Sequence, residues 1–508
     1  MKSAGAPRVG GANAGRSSLS GVLQWMLSGP LLAPIIASVT SAIVAVGPWL
    51  ITVLALGVIS LTLSPVLGRG AIADLRLSVV YAFGIALFAT APLAAMTARL
   101  VQRNVEDQGG RLVPELYAIC LVLSGLGAQA LALFAVFAFG MTPVKLSVAF
   151  VVLAATGSLM FTSFAILMAL RRHWQLINSF VIGTLLALLC ALLSTGWTPT
   201  VEFLLWSFSL GLWISHDLMF SSTTRGARIT MAGLAEAFAA IRHEIHRSRI
   251  LLFGIAFAML GVWADKWVYW FSSTGMTAQS GLYHFAPYDS AMFIAHLSMA
   301  PTLTAWFLFQ ERVLEPRVQR FWRLIEQRPT RAALAAEAAD LQELVWRNVF
   351  RILFIQATCS AVLIMLSPNI IRGLSMRFDQ IELLQIGIVV VLLQSLFFLC
   401  SAILLLCNRS TIFFQINLGF FAINLVLGVA FLHIFGVSAY GVFVASLVCG
   451  AACFVFAHRA LGELVFIVFI KENNDLYAEQ PLLTSSLIRS TVAALIRRFL
   501  ERRRTYGS

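Results

Sequence analysis

LLAPIIASVTSAIVAVGPWLITVLALGVISLTL, residues Leu31–Leu63, runs for 33 residues without a charged side chain. About 20 apolar residues suffice for a helix to cross the hydrocarbon core of a bilayer, so this stretch reads as membrane-spanning. It is too long for one straight crossing. Gly47 and Pro48 interrupt it, and proline removes a backbone donor and kinks a helix. The reading is a first span over 42–63 with a helix break at Gly47 and Pro48, preceded by an interfacial or bent segment from Gly21.

Segments of the same character recur outward from it. In the first half they cover 77–96, 114–139, 146–170, 174–193 and 201–220. In the second half they cover 250–271, 290–309, 352–370, 383–406, 412–435 and 439–458. That makes about twelve spans. The basic residues test the number independently, because Lys and Arg are retained on the cytoplasmic side. Of 36 Lys and Arg, 30 fall in the N-terminus, the even-numbered loops and the C-terminus; 5 fall in odd-numbered loops, and Lys266 lies inside a span. Missing one span would scramble this alternation. The expected fold is an all-α integral membrane protein with N-in and C-in topology.

Composition agrees. Hydrophobic residues make up 59% and charged residues 12% of the 508, too little charge to coat a soluble chain of this length; the mean hydropathy is +0.86. The net charge of +13 sits in cytoplasmic loops, where contact with anionic lipid explains it more simply than nucleic acid does. All seven cysteines lie in or at the ends of apolar spans, so neither disulfides nor a metal site is expected. No cofactor motif occurs in a usable context.

Residues 1–20 are Gly/Ala/Ser-rich and read as a disordered extension without a signal peptide. The longer connectors are 224–249, with five Arg, and 310–351, with eight. Six spans lie on each side of the first, which predicts two six-helix lobes, 21–223 and 250–470, around a central cavity, as in transporters that bind substrate near the midplane. The connector 224–249 reads as an amphipathic surface helix, with Leu234, Phe238, Ile241 and Ile245 opposite Glu236, Arg242 and Glu244. In 331–347, Leu334, Leu341 and Val345 oppose Glu337, Asp340 and Glu343. The tail 471–508 carries a basic amphipathic helix suited to anionic lipid.

Polar groups inside spans are the candidates for chemistry, because an ionisable side chain in the bilayer is costly and usually faces a cavity or a partner. Span seven is the richest. Trp263, Lys266, Trp267 and Trp270 follow the i, i+3, i+4, i+7 pattern of one helix face, with Asp265 one step round. An aromatic face with a cation suits a sugar, whose C–H faces pack on indole while its hydroxyls accept and donate hydrogen bonds. The competing reading places Trp267 and Trp270 in the interfacial aromatic belt. Tyr288 and Asp289 open span eight at similar depth, so Lys266 is expected to pair with Asp265 or Asp289. Asp217, beside His216 near the inner end of span six, is a candidate ion site. Gln356, Gln385, Gln394, Gln415, Asn417 and Asn424 read as interhelical hydrogen-bonding residues.

Three stretches carry a family resemblance. SAIVAVGPWLITVLALGVISL (Ser41–Leu61), GVWADKWVYWFSSTG (Gly261–Gly275) and YDSAMFIAHLSMAPTLTAWFLFQE (Tyr288–Glu311) resemble the Pel exopolysaccharide transporter (PelG) family, a branch of the multidrug/oligosaccharidyl-lipid/polysaccharide flippase superfamily. The resemblance implies a multi-pass protein of the bacterial inner membrane and no enzymatic activity. Its implied role is to move an amino-sugar polymer to the periplasm, beside a cytoplasmic glycosyltransferase and membrane scaffold subunits. On the residues alone, two other readings stay open. One is an ion-coupled small-molecule exporter of the multidrug type, which needs a buried carboxylate; the other is a non-transporting membrane scaffold for a synthase.

Overall fold

The computed structural model describes residues 32–194, 199–327 and 330–464. The N-terminal extension, the segment from Gly21 to Leu31 and the basic tail helix lie outside the described residues. The helices are α1 (Leu32–Gln108), α2 (Val113–Phe139), α3 (Val144–Ala169), α4 (His173–Leu193), α5 (Val201–Thr224), α6 (Met231–Arg247) and α7 (Arg249–Trp270). A two-stranded antiparallel hairpin follows, β1 (Met276–Thr277) and β2 (Tyr283–His284). Then come α8 (Ala286–Leu297), α9 (Ala300–Phe309), a π-helical turn (Gln310–Leu314), α10 (Glu315–Glu326), α11 (Arg331–Gly373), α12 (Gln380–Leu406), α13 (Ser410–Phe435) and α14 (Tyr440–Gly462).

Among the described residues, eleven helical segments are long and apolar enough to cross a membrane, one of them the run from α8 through α10. The first makes two crossings. Helical dihedrals continue through Gly47 and Pro48 and are lost at Gly68, which has φ 80° and ψ 164°. A side chain is strained there, whereas glycine adopts positive φ freely. Arg76 Nε donates to Ser60 Oγ at 3.0 Å across this point. In an unbroken helix those residues would stand ~24 Å apart, so the chain reverses at Gly68. The break expected at Gly47–Pro48 is therefore corrected to Gly68, outside the apolar block. A proline in a spanning helix is tolerated where neighbours satisfy the freed carbonyl, whereas a reversal needs a backbone that only glycine takes cheaply.

Contacts divide the chain into two units. The first comprises the chain up to Arg247 together with Met276–His284 and Leu303–Val313. The second comprises Ser248–Gly275, Phe285–Thr302 and the chain from Leu314. Two segments of the second half of the sequence thus belong to the first unit.

Within the first unit, α4 and α5 meet at their glycines. A Cβ on Gly183 would collide with Ser215 Oγ and the Gly211 carbonyl, and one on Gly211 would collide with Gly183 and Ala187. Small residues let spanning helices approach this closely. The hairpin packs on α1 just past its reversal and on the C-terminal end of α2. Ser280 donates from its backbone N–H (3.1 Å) and its hydroxyl (2.8 Å) to Asp74 Oδ1, and Tyr81 donates to the Tyr283 carbonyl at 2.7 Å.

Helix α6 packs under the inner ends with a face different from the one expected. Gly233, Ala237, Ile241 and Glu244 are its buried residues, while Phe238 is 48% exposed. Glu244 turns inward because Arg103 reaches it at 3.4 Å, and Gly233 fits because Glu115 leaves no room for a Cβ. Helix α11 buries Leu334, Leu341 and Val345, the face that its apolar spacing indicates.

Within the second unit, α7 lies against α13. Asn424 Nδ2 donates to the Gly261 carbonyl at 3.1 Å, and Gly254 and Gly261 leave space for Phe413 and Phe420. Span eight is broken between α8 and α9, with Pro301 just after the break. Gln356, fully buried, closes it: its amide donates to the Ser298 carbonyl at 2.9 Å and its carbonyl accepts from the Thr302 hydroxyl at 2.8 Å. Gln385 likewise donates across helices to Ser367 at 2.9 Å, whereas Asn417 bonds its own helix at the Phe413 carbonyl.

The reversal at Gly68 has a direct test. A Gly68→Cys variant should react with a membrane-impermeant maleimide added from outside, and Gly226→Cys should react only after the inner face is opened. Labelling of Gly68→Cys only from inside would contradict the hairpin.

Candidate functional site

The outer half of α7 carries a run of polar and aromatic side chains that pack on α8. Asp265 is 4% exposed. Its Oδ2 accepts from the Tyr288 hydroxyl at 2.8 Å, and its Oδ1 lies 3.6 Å from Lys266 Nζ. Lys266 also donates to the Val262 carbonyl at 3.2 Å and sits 5.8 Å from the centroid of the Trp263 ring, within cation–π range. Trp263 meets Trp270 edge-on, with centroids 6.0 Å apart. Trp270 Nε1 donates to both Asp289 oxygens, at 3.0 and 2.9 Å, and the Phe285 N–H donates to Asp289 Oδ2 at 2.9 Å. Tyr269 packs on Tyr288 with centroids 4.2 Å apart and donates to the Ser438 carbonyl.

The structure thus gathers Trp263, Asp265, Lys266, Trp270, Tyr288 and Asp289 into one chain of contacts, with Trp267 half-buried beside them on α7. It chooses between the two carboxylates proposed for Lys266. The ion pair is with Asp265, while Asp289 is held by an indole and a backbone amide. Adjacent residues on a helix point about 100° apart, yet the long lysine stem bends back far enough to meet its neighbour. Trp270 does not join the interfacial belt. It is 2% exposed, because its N–H is needed by Asp289.

The cluster has two layers. Trp263 and Lys266 are half-buried and offer an indole and an ammonium. Asp265, Tyr269, Tyr288 and Trp270 are buried behind them and fix their positions. His296, on α8, lies within electrostatic range of Lys266 and Asp265 on α7.

The carboxylate of Asp217, the candidate ion site, is not buried. Its side chain is exposed, and its neighbour His216 turns inward, with Nδ1 2.8 Å from Ser163 Oγ. The register of α5 decides this, since one position round the helix separates the packed face from the open one. Among the described residues, no group of three or more His, Cys, Asp or Glu is arranged to hold a metal ion.

Sequence reasoning passed over two buried polar pairs. One is Asp74 with Ser280, 206 positions apart. The other is His173 with Glu311, whose Nε2 and Oε1 are 2.8 Å apart and which lie within the first unit. The signal available for the second was an isolated acid ending an apolar span. For the first there was none, because nothing local links a loop aspartate to a distant hairpin.

With this geometry in view, comparison with known proteins places the chain. The profile of the family described as "PelG: Putative exopolysaccharide Exporter (EPS-E)" matches residues 24–469. The chain belongs to this family. No curated protein matches it in sequence.

Among solved structures it is similar to an outward-facing multidrug resistance MATE family transporter of the MOP superfamily. The TM-score is 0.59 at 12% identity, over 90% of this chain and 99% of that one. A MATE structure in the straight conformation gives 0.58 at 16% identity, over 89% and 99%. A MOP superfamily transporter from Pyrococcus furiosus gives 0.56 at 14% identity, over 88% and 99%. At these identities the likeness establishes the fold, an all-α membrane architecture of the MOP type. A PelG-family chain on this fold is a multi-pass polysaccharide transporter.

Pairing of Lys266 with Asp265 predicts an asymmetric rescue. Removing one partner of a buried ion pair costs roughly 3–5 kcal/mol, so Lys266→Met should sharply reduce folded protein in the membrane. Adding Asp265→Asn should restore part of it, since the amide oxygen still accepts from Tyr288. Adding Asp289→Asn should not. Equal rescue by both, measured as detergent-extracted monodisperse protein, would contradict the assignment.

Proposed function

We propose that the chain exports an amino-sugar exopolysaccharide of Pel type across the bacterial inner membrane into the periplasm, working within a synthase complex. The family match over residues 24–469 carries this reading. A cytoplasmic glycosyltransferase would supply the growing polymer, and membrane scaffold subunits would hold the enzyme at the inner mouth.

The outer half of α7 is the part of the chain we assign to the sugar. A polymer in transit needs contacts that tolerate its sliding. An indole face meets the C–H face of each sugar ring with little dependence on its exact orientation, and an ammonium can bond successive hydroxyls. Trp263 and Lys266 are the half-buried pair that would make these contacts. Trp270, hydrogen-bonded to Asp289, acts through Trp263 by holding its ring.

Two indole replacements separate these roles. Trp263→Leu keeps the helix apolar and should leave membrane-inserted protein near normal while secreted polymer, normalised to that protein, falls at least several-fold. Trp270→Leu strips Asp289 of its indole donor. A buried acceptor left unsatisfied costs about 1–3 kcal/mol, so this variant should lower the protein level itself. Unchanged normalised export in Trp263→Leu would remove α7 from the sugar path while leaving the transporter assignment in place. The substrate class is tested by reconstituting the protein with the partner glycosyltransferase and a nucleotide-activated amino sugar and scoring polymer inside and outside the vesicle.

A further inference from the structure

Helix α11 is 43 residues long, about 65 Å, roughly twice the thickness of the hydrocarbon core. Its sequence shows where the bilayer sits on it. Between Arg351 and Arg372 lie 20 residues with no charge, which span ~30 Å. Arg351 therefore stands at the inner edge of the hydrocarbon and Arg372 at the outer edge. One turn above Arg351 is Arg347, and one turn below it is Phe354.

At that inner edge the surface is shaped. Arg347, Phe350, Arg351, Phe354 and Ile355 line a shallow, open groove along α11 whose surface is almost entirely apolar. Phe350 is 56% and Phe354 74% exposed, and Trp346 behind them is buried, edge-on to Phe454 of α14. The arginines are open as well. Arg347 is half-exposed, with Glu343 3.5 Å away and itself 76% exposed, and Arg351 is exposed. The groove thus has a cationic upper lip at head-group depth and an apolar floor descending into the acyl region.

We propose that this groove is a binding site for one anionic phospholipid of the inner leaflet, its phosphate held between Arg347 and Arg351 and an acyl chain laid along Phe350, Phe354 and Ile355. Residues i and i+4 lie on one helix face about 6 Å apart, a spacing that lets two guanidinium groups converge on one phosphate, whose oxygens they match bidentately. The exposed phenyl rings account for the lipid rather than a soluble anion, because a free phosphate has nothing to place on them. The basic-residue distribution puts this end on the inner side, where anionic lipids attract basic residues by about 1 kcal/mol each. The site is independent of what the protein exports.

The test uses the full-length protein purified in detergent and titrated with phosphatidylglycerol, phosphatidylcholine or inorganic phosphate, with bound lipid counted by native mass spectrometry. Wild type should retain phosphatidylglycerol preferentially. Arg347→Gln/Arg351→Gln should weaken that binding about 25-fold, and Arg351→Gln alone about fivefold, the equivalent of about 1 kcal/mol per arginine. Arg323→Gln/Arg331→Gln, on the same basic connector, should bind as wild type does. An unchanged melting temperature without lipid identifies the variants as folded, and the single variant keeps the comparison available if the double variant is not. Equal binding by wild type and the folded variants would overturn the proposal. So would equal retention of phosphatidylcholine, which makes the groove ordinary bilayer contact, or displacement of the lipid by inorganic phosphate at the same concentration, which makes it an anion site.

Discussion

Hydrocarbon offers no hydrogen-bond partner, so each polar group of a spanning segment must find one inside the protein, and lipid-exposed irregular backbone is not tolerated there. The breaks in this chain's spans follow from that constraint. The reversal between the first two crossings falls at Gly68, beyond the apolar block that begins the fold. The interruption between α8 and α9 is covered by the fully buried Gln356, which bonds both the Ser298 carbonyl and the Thr302 hydroxyl. A glutamine in a long apolar helix is thus explained by a defect in another helix.

The same constraint organises the charged residues. Asp265 has Lys266 and the Tyr288 hydroxyl; Asp289 has the Trp270 indole and a backbone amide; Asp74 has two donors from Ser280. Each carboxylate accepts from at least one group on another element. The polar residues of α7 and α8 therefore both hold the two helices together and leave Trp263 and Lys266 in fixed places. Stability and the proposed sugar contact draw on one set of contacts here, and a half-satisfied network would be worse than an apolar one.

A large part of the fold was legible in the sequence. Among the described residues, eleven apolar helical segments, one reversing to make twelve crossings, match the segments read from hydropathy, and family membership was legible in three short stretches. The candidate site was legible as a list of residues: the run from Trp263 to Trp270 with Tyr288 and Asp289 does come together. Its internal wiring was not. Lys266 had two carboxylates at similar depth, and helical spacing put Trp270 on the same stripe as Trp263 without showing that its N–H bonds Asp289. Glu244 was read as solvent-facing, yet it is buried because Arg103, far away in sequence, lies opposite. Asp217 was read as a candidate ion site near the inner end of its span, and its side chain is exposed.

The sequence by itself determined the number of crossings and set the expectation for their sidedness. Transfer into hydrocarbon is summed over about 20 neighbouring residues, and the retention of Lys and Arg acts loop by loop, so both can be read locally. Only the tertiary structure decided which carboxylate holds Lys266, which face of α6 turns inward, where the first hairpin reverses, and that residues Met276–His284 and Leu303–Val313 join the first unit. Those outcomes depend on how each helix is rotated about its axis and on partners tens to hundreds of positions away. Apolar spans turned toward lipid on one side and protein on the other show almost no difference between their faces from which that rotation could be read.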